Sequence, residues 1–211
     1  MSTPILGSKF WWWVFATTIG FVIGFFLGLF SSLLAINTSL SAISGFWGGG
    51  LGGLCVGIAQ KLVLRNQVSA KWILATTVGF SIGCGIGGLI LVITSNAIIS
   101  SILGIVSGII SLSFAQALTM EWQKNKTLKW LIANSIGVTV GAGTGALACI
   151  LAGVIAQNIF RGGLETLIPV LVSATLAGSM VSGLTYSGIT GLFLIKLLPK
   201  LQTMGVDTES L

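Results

Sequence analysis

WILATTVGFSIGCGIGGLILVITS, the stretch from Trp72 to Ser95, consists of apolar and small residues without a charged side chain. The hydrocarbon core of a bilayer is about 30 Å thick, and a helix needs about 20 predominantly apolar residues to cross it. This stretch is therefore long enough to span a membrane. It also contains the clearest copy of a motif that recurs along the chain.

Five further apolar stretches of similar length predict five more spans. Of the 211 residues, 54% are apolar and only 7% are charged, a composition that a soluble domain cannot bury. We therefore predict an all-α polytopic membrane protein with six transmembrane helices, in which residues 1–211 form a single transmembrane domain. We expect the first span to be retained, because it is too long for a signal peptide and shares its sequence with later spans. The six spans are Phe10–Leu34, Ala42–Leu64, Trp72–Ser95, Ala97–Met120, Trp130–Ala156 and Thr166–Leu197.

The basic residues predict the orientation of the spans. Nine of the ten fall on one side, which places both termini in the cytoplasm by the positive-inside rule, and Arg161 alone falls opposite. Because they are scattered at helix ends, they do not form a nucleic-acid-binding surface. The nine are Lys9, Lys61, Arg65, Lys71, Lys124, Lys126, Lys129, Lys196 and Lys200. The tryptophans beside them predict an interfacial aromatic belt: Trp11, Trp12, Trp13, Trp72, Trp122 and Trp130.

An internal repeat organises the chain. The segments that begin at Trp13, Trp72 and Trp130 match over eight residues, and each continues with two further glycines at four-residue steps. In the even spans, the segment from Gly57 resembles that from Ser113 and, more weakly, that from Gly188. We predict three helical hairpins in parallel orientation with pseudo-threefold packing. They cover residues 10–66, 70–123 and 128–199, followed by a short cytoplasmic tail at 200–211.

Glycines four residues apart form a stripe on every span. In lipid, small residues allow helix backbones to approach closely, so the stripes predict tight helix packing. The alternative is a narrow pore or lipid groove lined by glycine. The predicted packing glycines are Gly20, Gly24, Gly28, Gly49, Gly53, Gly57, Gly79, Gly83, Gly87, Gly104, Gly108, Gly137, Gly141, Gly145, Gly183 and Gly191.

Five polar residues within the spans predict a polar layer near the cytoplasmic face. Thr17, Thr76 and Asn134 occupy equivalent places in the repeats, and Gln60 and Gln116 lie at a similar depth on the returning helices. We expect hydrogen bonds between helices, each contributing roughly 0.6–2 kcal/mol. The alternative is a site for a small ligand or a lipid head group.

The last hairpin is longer than the other two, with the extra residues placed around the fifth loop. The span from Thr166 to Leu197 would exceed the hydrocarbon thickness as a straight helix. Because Pro169 lies near its start, we predict an interfacial segment or a break between Val172 and Gly178. A tilted, overlong helix is the alternative.

The residues needed for common enzyme chemistry are missing from the spans. The sequence has no histidine, and its four acids lie outside the predicted spans. We therefore predict neither an enzyme, nor a metal site, nor a cofactor. Cys55, Cys84 and Cys149 are far apart and are interpreted as small packing residues.

The recurring W-x-x-A-[ST]-x-x-G-x-x-x-G segment, as in Trp72, Ala75, Thr76, Gly79 and Gly83, resembles small polytopic membrane proteins common in cyanobacteria. The tryptophan that follows the repeat glutamine in those proteins is replaced here by Lys61 and Ala117. The resemblance implies the plasma membrane of a bacterium or a thylakoid, and it implies no particular activity.

Two functions remain open at this point. The first is a non-catalytic structural or assembly subunit, whose glycine-rich faces bind its own copies or a larger membrane complex. The alternative is a channel, a permease, or a component of a transporter that binds a small solute or lipid. Apart from the bilayer itself, the predicted partners are a homo-oligomer or a larger membrane complex.

Overall fold

The chain is all-helical in the described residues. The computed structural model describes residues 7–35, 41–65, 68–120, 124–160 and 167–197. They form six helices, each long and apolar enough to cross a membrane, which confirms the predicted class. The helices are α1 (Ser8–Ala35), α2 (Ser41–Leu64), α3 (Lys71–Thr94), α4 (Ala97–Thr119), α5 (Lys124–Ile159) and α6 (Leu167–Leu197).

The helices pack in a ring in which neighbours in sequence are neighbours in space. Each helix packs against the next, and α6 returns to α1, while α4 and α5 make the least extensive of these contacts. The contacts made by glycines show whether neighbouring helices run parallel or antiparallel. A Cβ atom built on Gly20 would lie 2.9 Å from the Cα of Val56, and one built on Gly24 would lie 2.7 Å from the Cα of Gly52. Because the residue numbers run in opposite senses, α1 and α2 are antiparallel.

The predicted break between Val172 and Gly178 is wrong, because α6 is one continuous helix. Pro169 is its third residue, and proline is tolerated in the first turn because an amide there has no acceptor within the helix. Gly178 lies against α5, since a Cβ atom built on it would be 3.1 Å from the carbonyl oxygen of Gly145. Packing thus supports the helix where the break was expected.

The extra residues in the last part of the chain mostly lengthen α5 and α6 rather than the connection between them. Helix α5 ends 29 residues after Trp130, whereas α3 ends 22 residues after Trp72. Similarly, α6 has 31 residues, whereas α4 has 23. At about 1.5 Å per residue, α5 extends about 10 Å further than α3 from the level of the tryptophans.

Candidate functional site

Three tryptophans lie inside the bundle, at the end that we call the tryptophan end: Trp13, Trp72 and Trp130. Their exposed fractions are 2%, 0% and 0%. The indole rings of Trp72 and Trp130 are 6.1 Å apart. The prediction that these three belong to a lipid-facing belt is therefore wrong. Trp11 and Trp12 are exposed by 61% and 64%, as a belt requires, and Trp122 lies outside the described residues.

Two of these buried indoles donate hydrogen bonds to glutamines. Nε1 of Trp72 donates to Oε1 of Gln60 at 3.0 Å, and Nε1 of Trp130 donates to Oε1 of Gln116 at 3.1 Å. In each case a tryptophan near the start of an odd helix meets a glutamine on the preceding even helix. A buried indole N–H usually needs such a partner, so these bonds fix both side chains in place.

The predicted polar layer is brought together in the structure. Thr17, Thr76, Asn134, Gln60 and Gln116 are all fully buried. The amide nitrogen of Gln116 donates to Oγ1 of Thr76 at 2.9 Å and lies 3.5 Å from Oε1 of Gln60. These bonds connect α2, α3, α4 and, through the indole of Trp130, α5.

Tyr186 on α6 also belongs to the layer and was not predicted from the sequence. Its hydroxyl donates to Oδ1 of Asn134 at 2.7 Å, while the amide nitrogen of Asn134 donates to the Trp130 carbonyl at 3.2 Å. Its ring also contacts Phe21, with the centroids 5.2 Å apart. It is the only tyrosine in the sequence, which is a signal that could have drawn attention to it.

The layer is incomplete, chiefly on α1 and α2. Nε1 of Trp13, Oγ1 of Thr17, Nε2 of Gln60 and Oγ of Ser113 are buried without a hydrogen-bond partner among the described residues. On α6, where a glutamine for Trp13 would be needed, the buried Thr190 donates instead to the Tyr186 carbonyl at 2.8 Å. A threonine side chain is shorter than a glutamine side chain, so the Trp13 indole remains without an acceptor.

All sixteen predicted packing glycines lie against a neighbouring helix. Cβ atoms built on Gly79 and Gly83 would lie 2.5 Å and 2.6 Å from the Cα atoms of Leu112 and Gly108. The stripe at Gly49, Gly53 and Gly57 faces α3, and a second, unpredicted stripe that includes Gly48 and Gly52 faces α1. The glycine faces are therefore used within the chain.

Two cavities lie on the far side of the polar layer from the tryptophan end. The first, of about 440 Å³, is lined by α3 and α4 and by Val138 of α5. The second, of about 350 Å³, is lined by α1, α2 and α3 and by Thr175 of α6. Phe80 and Cys84 of α3 line both.

The cavities are apolar, are lined largely by glycine, and reach to within one helical turn of the polar layer. Leu112 lines the first cavity and lies four residues from Gln116. Phe21 and Val56 line the second cavity and lie four residues from Thr17 and Gln60. An uncharged molecule in either cavity would therefore meet a mostly apolar wall, and the polar layer would lie one helical turn beyond that wall.

The three cysteines do not form disulfides with one another. Among the helices and connections that the structure describes, there is no cluster of three or more metal-ligating side chains. The site is therefore built from indole, amide and hydroxyl groups. No protein-family model matches the sequence, and no curated protein or solved structure matches it either.

Proposed function

We propose that this chain is an integral membrane protein that binds a small, uncharged, predominantly apolar molecule in clefts between its helices. The observation that carries the proposal is the pair of cavities, of about 440 and 350 Å³, on either side of Phe80 and Cys84. Binding sites for small molecules are commonly clefts of about 300–1,000 Å³ with apolar walls and a few polar groups. An ionised ligand is disfavoured, because a charge at the bilayer centre costs at least about 2.5 kcal/mol and no opposite charge lines either cavity.

The glycine contacts favour this function over an assembly subunit that docks through its glycine faces. The stripes on α1, α3 and α5 lie against α2, α4 and α6, so they are not free to contact a second protein. The same close approaches leave glycine hydrogens instead of side chains along the cavity walls. Of the two functions left open by the sequence, the solute- or lipid-binding component therefore becomes the first.

We also infer the three-hairpin arrangement, with both termini in the cytoplasm. The bonds from Trp72 to Gln60 and from Trp130 to Gln116 join equivalent positions of the first two and the last two hairpins. Burial and glycine contacts favour Thr190, rather than Gly191, as the counterpart of the two glutamines. In this register, Ser113 corresponds to Ser187, and both are buried.

Thermal stabilisation by apolar probes tests the proposed binding function. The purified protein in nanodiscs would be titrated with decane and with 2-decanone while its melting temperature is measured. We expect both probes to raise the melting temperature. Val138→Phe, which fills the first cavity, and Thr175→Phe, which fills the second, should each reduce the effect, and the double variant should abolish it.

Matched substitutions on the lipid-facing surface control for the bulk of the added ring. Val140 and Leu176 are close in sequence to the cavity residues but are exposed, by 42% and 41%. Val140→Phe and Leu176→Phe should leave the stabilisation intact. If neither probe stabilises the unmodified protein, or if the filled and control variants respond alike, the proposed function is wrong.

A second candidate is a non-catalytic assembly subunit that uses bulky apolar residues instead of glycines. The observation in its favour is the far half of α5, where Leu147, Leu151, Ile155 and Ile159 are exposed and the helix extends beyond its neighbours. It predicts a stable partner or homo-oligomer in native mass spectrometry of gently solubilised membranes. A bacterial plasma membrane or a thylakoid remains the proposed location.

A further inference from the structure

We propose that Trp13, Thr17 and Gln60 bind the oxygen atom of a neutral amphipathic molecule, such as a ketone or an ester, whose apolar part occupies the second cavity. This inference rests on the proposed function and names the ligand class for one of its two cavities. The site consists of the three buried polar groups of α1 and α2 that the polar layer leaves without partners.

The contrast between Gln116 and Gln60 locates the site. The side-chain amide of Gln116 is used at both ends, because its oxygen accepts from Trp130 and its nitrogen donates to Thr76. The oxygen of Gln60 likewise accepts from Trp72, but its nitrogen has no partner within 3.5 Å and only approaches the Tyr186 hydroxyl. Thr17, the counterpart of Thr76 in the first repeat, also has none. Thr17 and Gln60 thus occupy places equivalent to those of Thr76 and Gln116, but they do not form the corresponding hydrogen bond.

The unpartnered groups require an acceptor. An indole N–H and an amide NH₂ can only donate hydrogen bonds, and a threonine hydroxyl can donate or accept. Leaving such a group buried and unsatisfied costs about 1–3 kcal/mol. A carbonyl oxygen has two lone pairs, so it can accept from both Trp13 and Gln60 without bringing a charge into the bundle.

Thr17 and Gln60 lie at the same level of the bundle, one helical turn from residues that line the second cavity, and Trp13 lies one turn further away. Thr17 follows Trp13 by one helical turn on α1, and the close approach of Gly20 to Val56 places Gln60 of α2 at the same level. Phe21 and Val56, each one turn further from the tryptophan end, line the second cavity. Phe21 and Val56 pack with Tyr186 between the polar groups and the cavity, so a molecule that spans both would displace the Phe21 ring.

Indole NMR signals in nanodiscs provide the test. The tryptophans would be labelled with ¹⁵N, and Trp13→Phe would assign the Trp13 signal. We expect 2-decanone to shift the Trp13 indole proton downfield by several tenths of a ppm, whereas decane leaves it within about 0.1 ppm. The Trp130 indole, which is already bonded to Gln116, serves as an internal control and should move little with either probe.

Two substitutions sharpen the result. Thr175→Phe fills the second cavity and should abolish the ketone-dependent shift of Trp13, whereas Leu176→Phe on the exposed surface should retain it. Thr17→Val has nearly the same shape, and we expect it to weaken 2-decanone binding about tenfold while leaving decane binding unchanged. If Thr175→Phe does not fold, Thr17→Val tests the site by itself.

The source of the oxygen is distinguished by the lipid of the nanodisc. If the Trp13 signal differs between diester and diether phospholipids before any probe is added, a lipid ester occupies the site. If it responds only to the added ketone, a free small molecule does. Either result supports the proposal.

The proposal would be overturned if decane and 2-decanone stabilised the protein equally and neither moved the Trp13 signal. In that case the cavities would bind apolar molecules and the proposed function would stand. A Trp13 indole in contact with a long-lived water that the ketone fails to displace would also overturn the proposal. If neither probe binds at all, the proposed function fails together with the polar site.

Discussion

At the residue scale, the same side chain has different consequences depending on its partners. Gln60 and Gln116 are both fully buried and both accept from an indole, but only Gln116 also donates at normal distance. Some buried polar groups of the bundle therefore have all their hydrogen-bond partners and others do not. Apart from Ser113 on α4, the buried polar groups that lack a partner among the described residues lie on α1 and α2.

Gln116→Leu should lower the stability of the protein. The substitution leaves the buried Nε1 of Trp130 without its acceptor and Oγ1 of Thr76 without its donor, so we expect a loss of about 1–3 kcal/mol. Thermal unfolding in detergent would measure it. Ser135→Ala is the control, since the Ser135 hydroxyl bonds only within its own helix, to the Leu131 carbonyl. An equal effect of the two substitutions would contradict the role of the layer.

Gly83→Ala should destabilise the protein although alanine favours helices. The new methyl group would lie 2.6 Å from the Cα of Gly108, so two backbones would have to separate. Gly143 provides a matched control, because a Cβ atom there meets nothing within 4 Å. Helix propensity alone favours alanine over glycine by up to about 1 kcal/mol. We expect Gly143→Ala to be neutral or stabilising. If Gly143→Ala lost stability and Gly83→Ala did not, the role of Gly83 in helix packing would be refuted.

The sequence identified the glycines and the five polar residues, but it misplaced the tryptophans. An aromatic residue beside a lysine at a helix end can face the lipid or the bundle. The spacing did contain a signal, since Trp13, Thr17, Gly20 and Gly24 recur at three- and four-residue steps and so lie on one face of α1. Tyr186 gave no such signal, because its role depends on Asn134 of another helix.

At the element scale, helix bounds followed closely from the apolar runs, whereas the conformation of α6 did not. Pro169 indicated an irregularity, but its position in the first turn and the support from α5 allow a continuous helix. The lengths of α5 and α6 follow from their bounds. How far their ends extend beyond those of the other helices depends on which residues lie at the same level, and only the contacts between helices determine that.

Lysine substitutions along α5 should reveal which part of the helix lies in hydrocarbon. Val140 and Ile155 are both exposed, by 42% and 58%. If the bilayer covers about 30 Å from the tryptophan end, Val140 lies within it and Ile155 lies beyond it. We expect Val140→Lys to reduce the membrane-integrated fraction strongly, since the charge costs at least about 2.5 kcal/mol near the centre, and Ile155→Lys to be tolerated. Equal sensitivity would place the far end of α5 in lipid as well.

At the scale of the whole molecule, the distribution of charge should determine orientation. Nine of the ten basic residues fall in the predicted cytoplasmic segments of the sequence. Reporter tags inserted after Ser39 and after Asn125 should therefore report opposite compartments, with Asn125 in the cytoplasm. Tags that report the same compartment would contradict the alternation of the six helices across the membrane. Tags at the two termini, expected to agree with Asn125, complete the measurement.

The sparse boundary between α4 and α5 has a consequence for how a ligand arrives. The first cavity is lined by α3, α4 and Val138 of α5, so a molecule that binds there as proposed would enter from the lipid between α4 and α5. A molecule using this route must first dissolve in the bilayer. Its apparent affinity would then depend on its partition coefficient and on the lipid-to-protein ratio, and doubling the lipid at a fixed total amount of ligand would lower occupancy as dilution does in water.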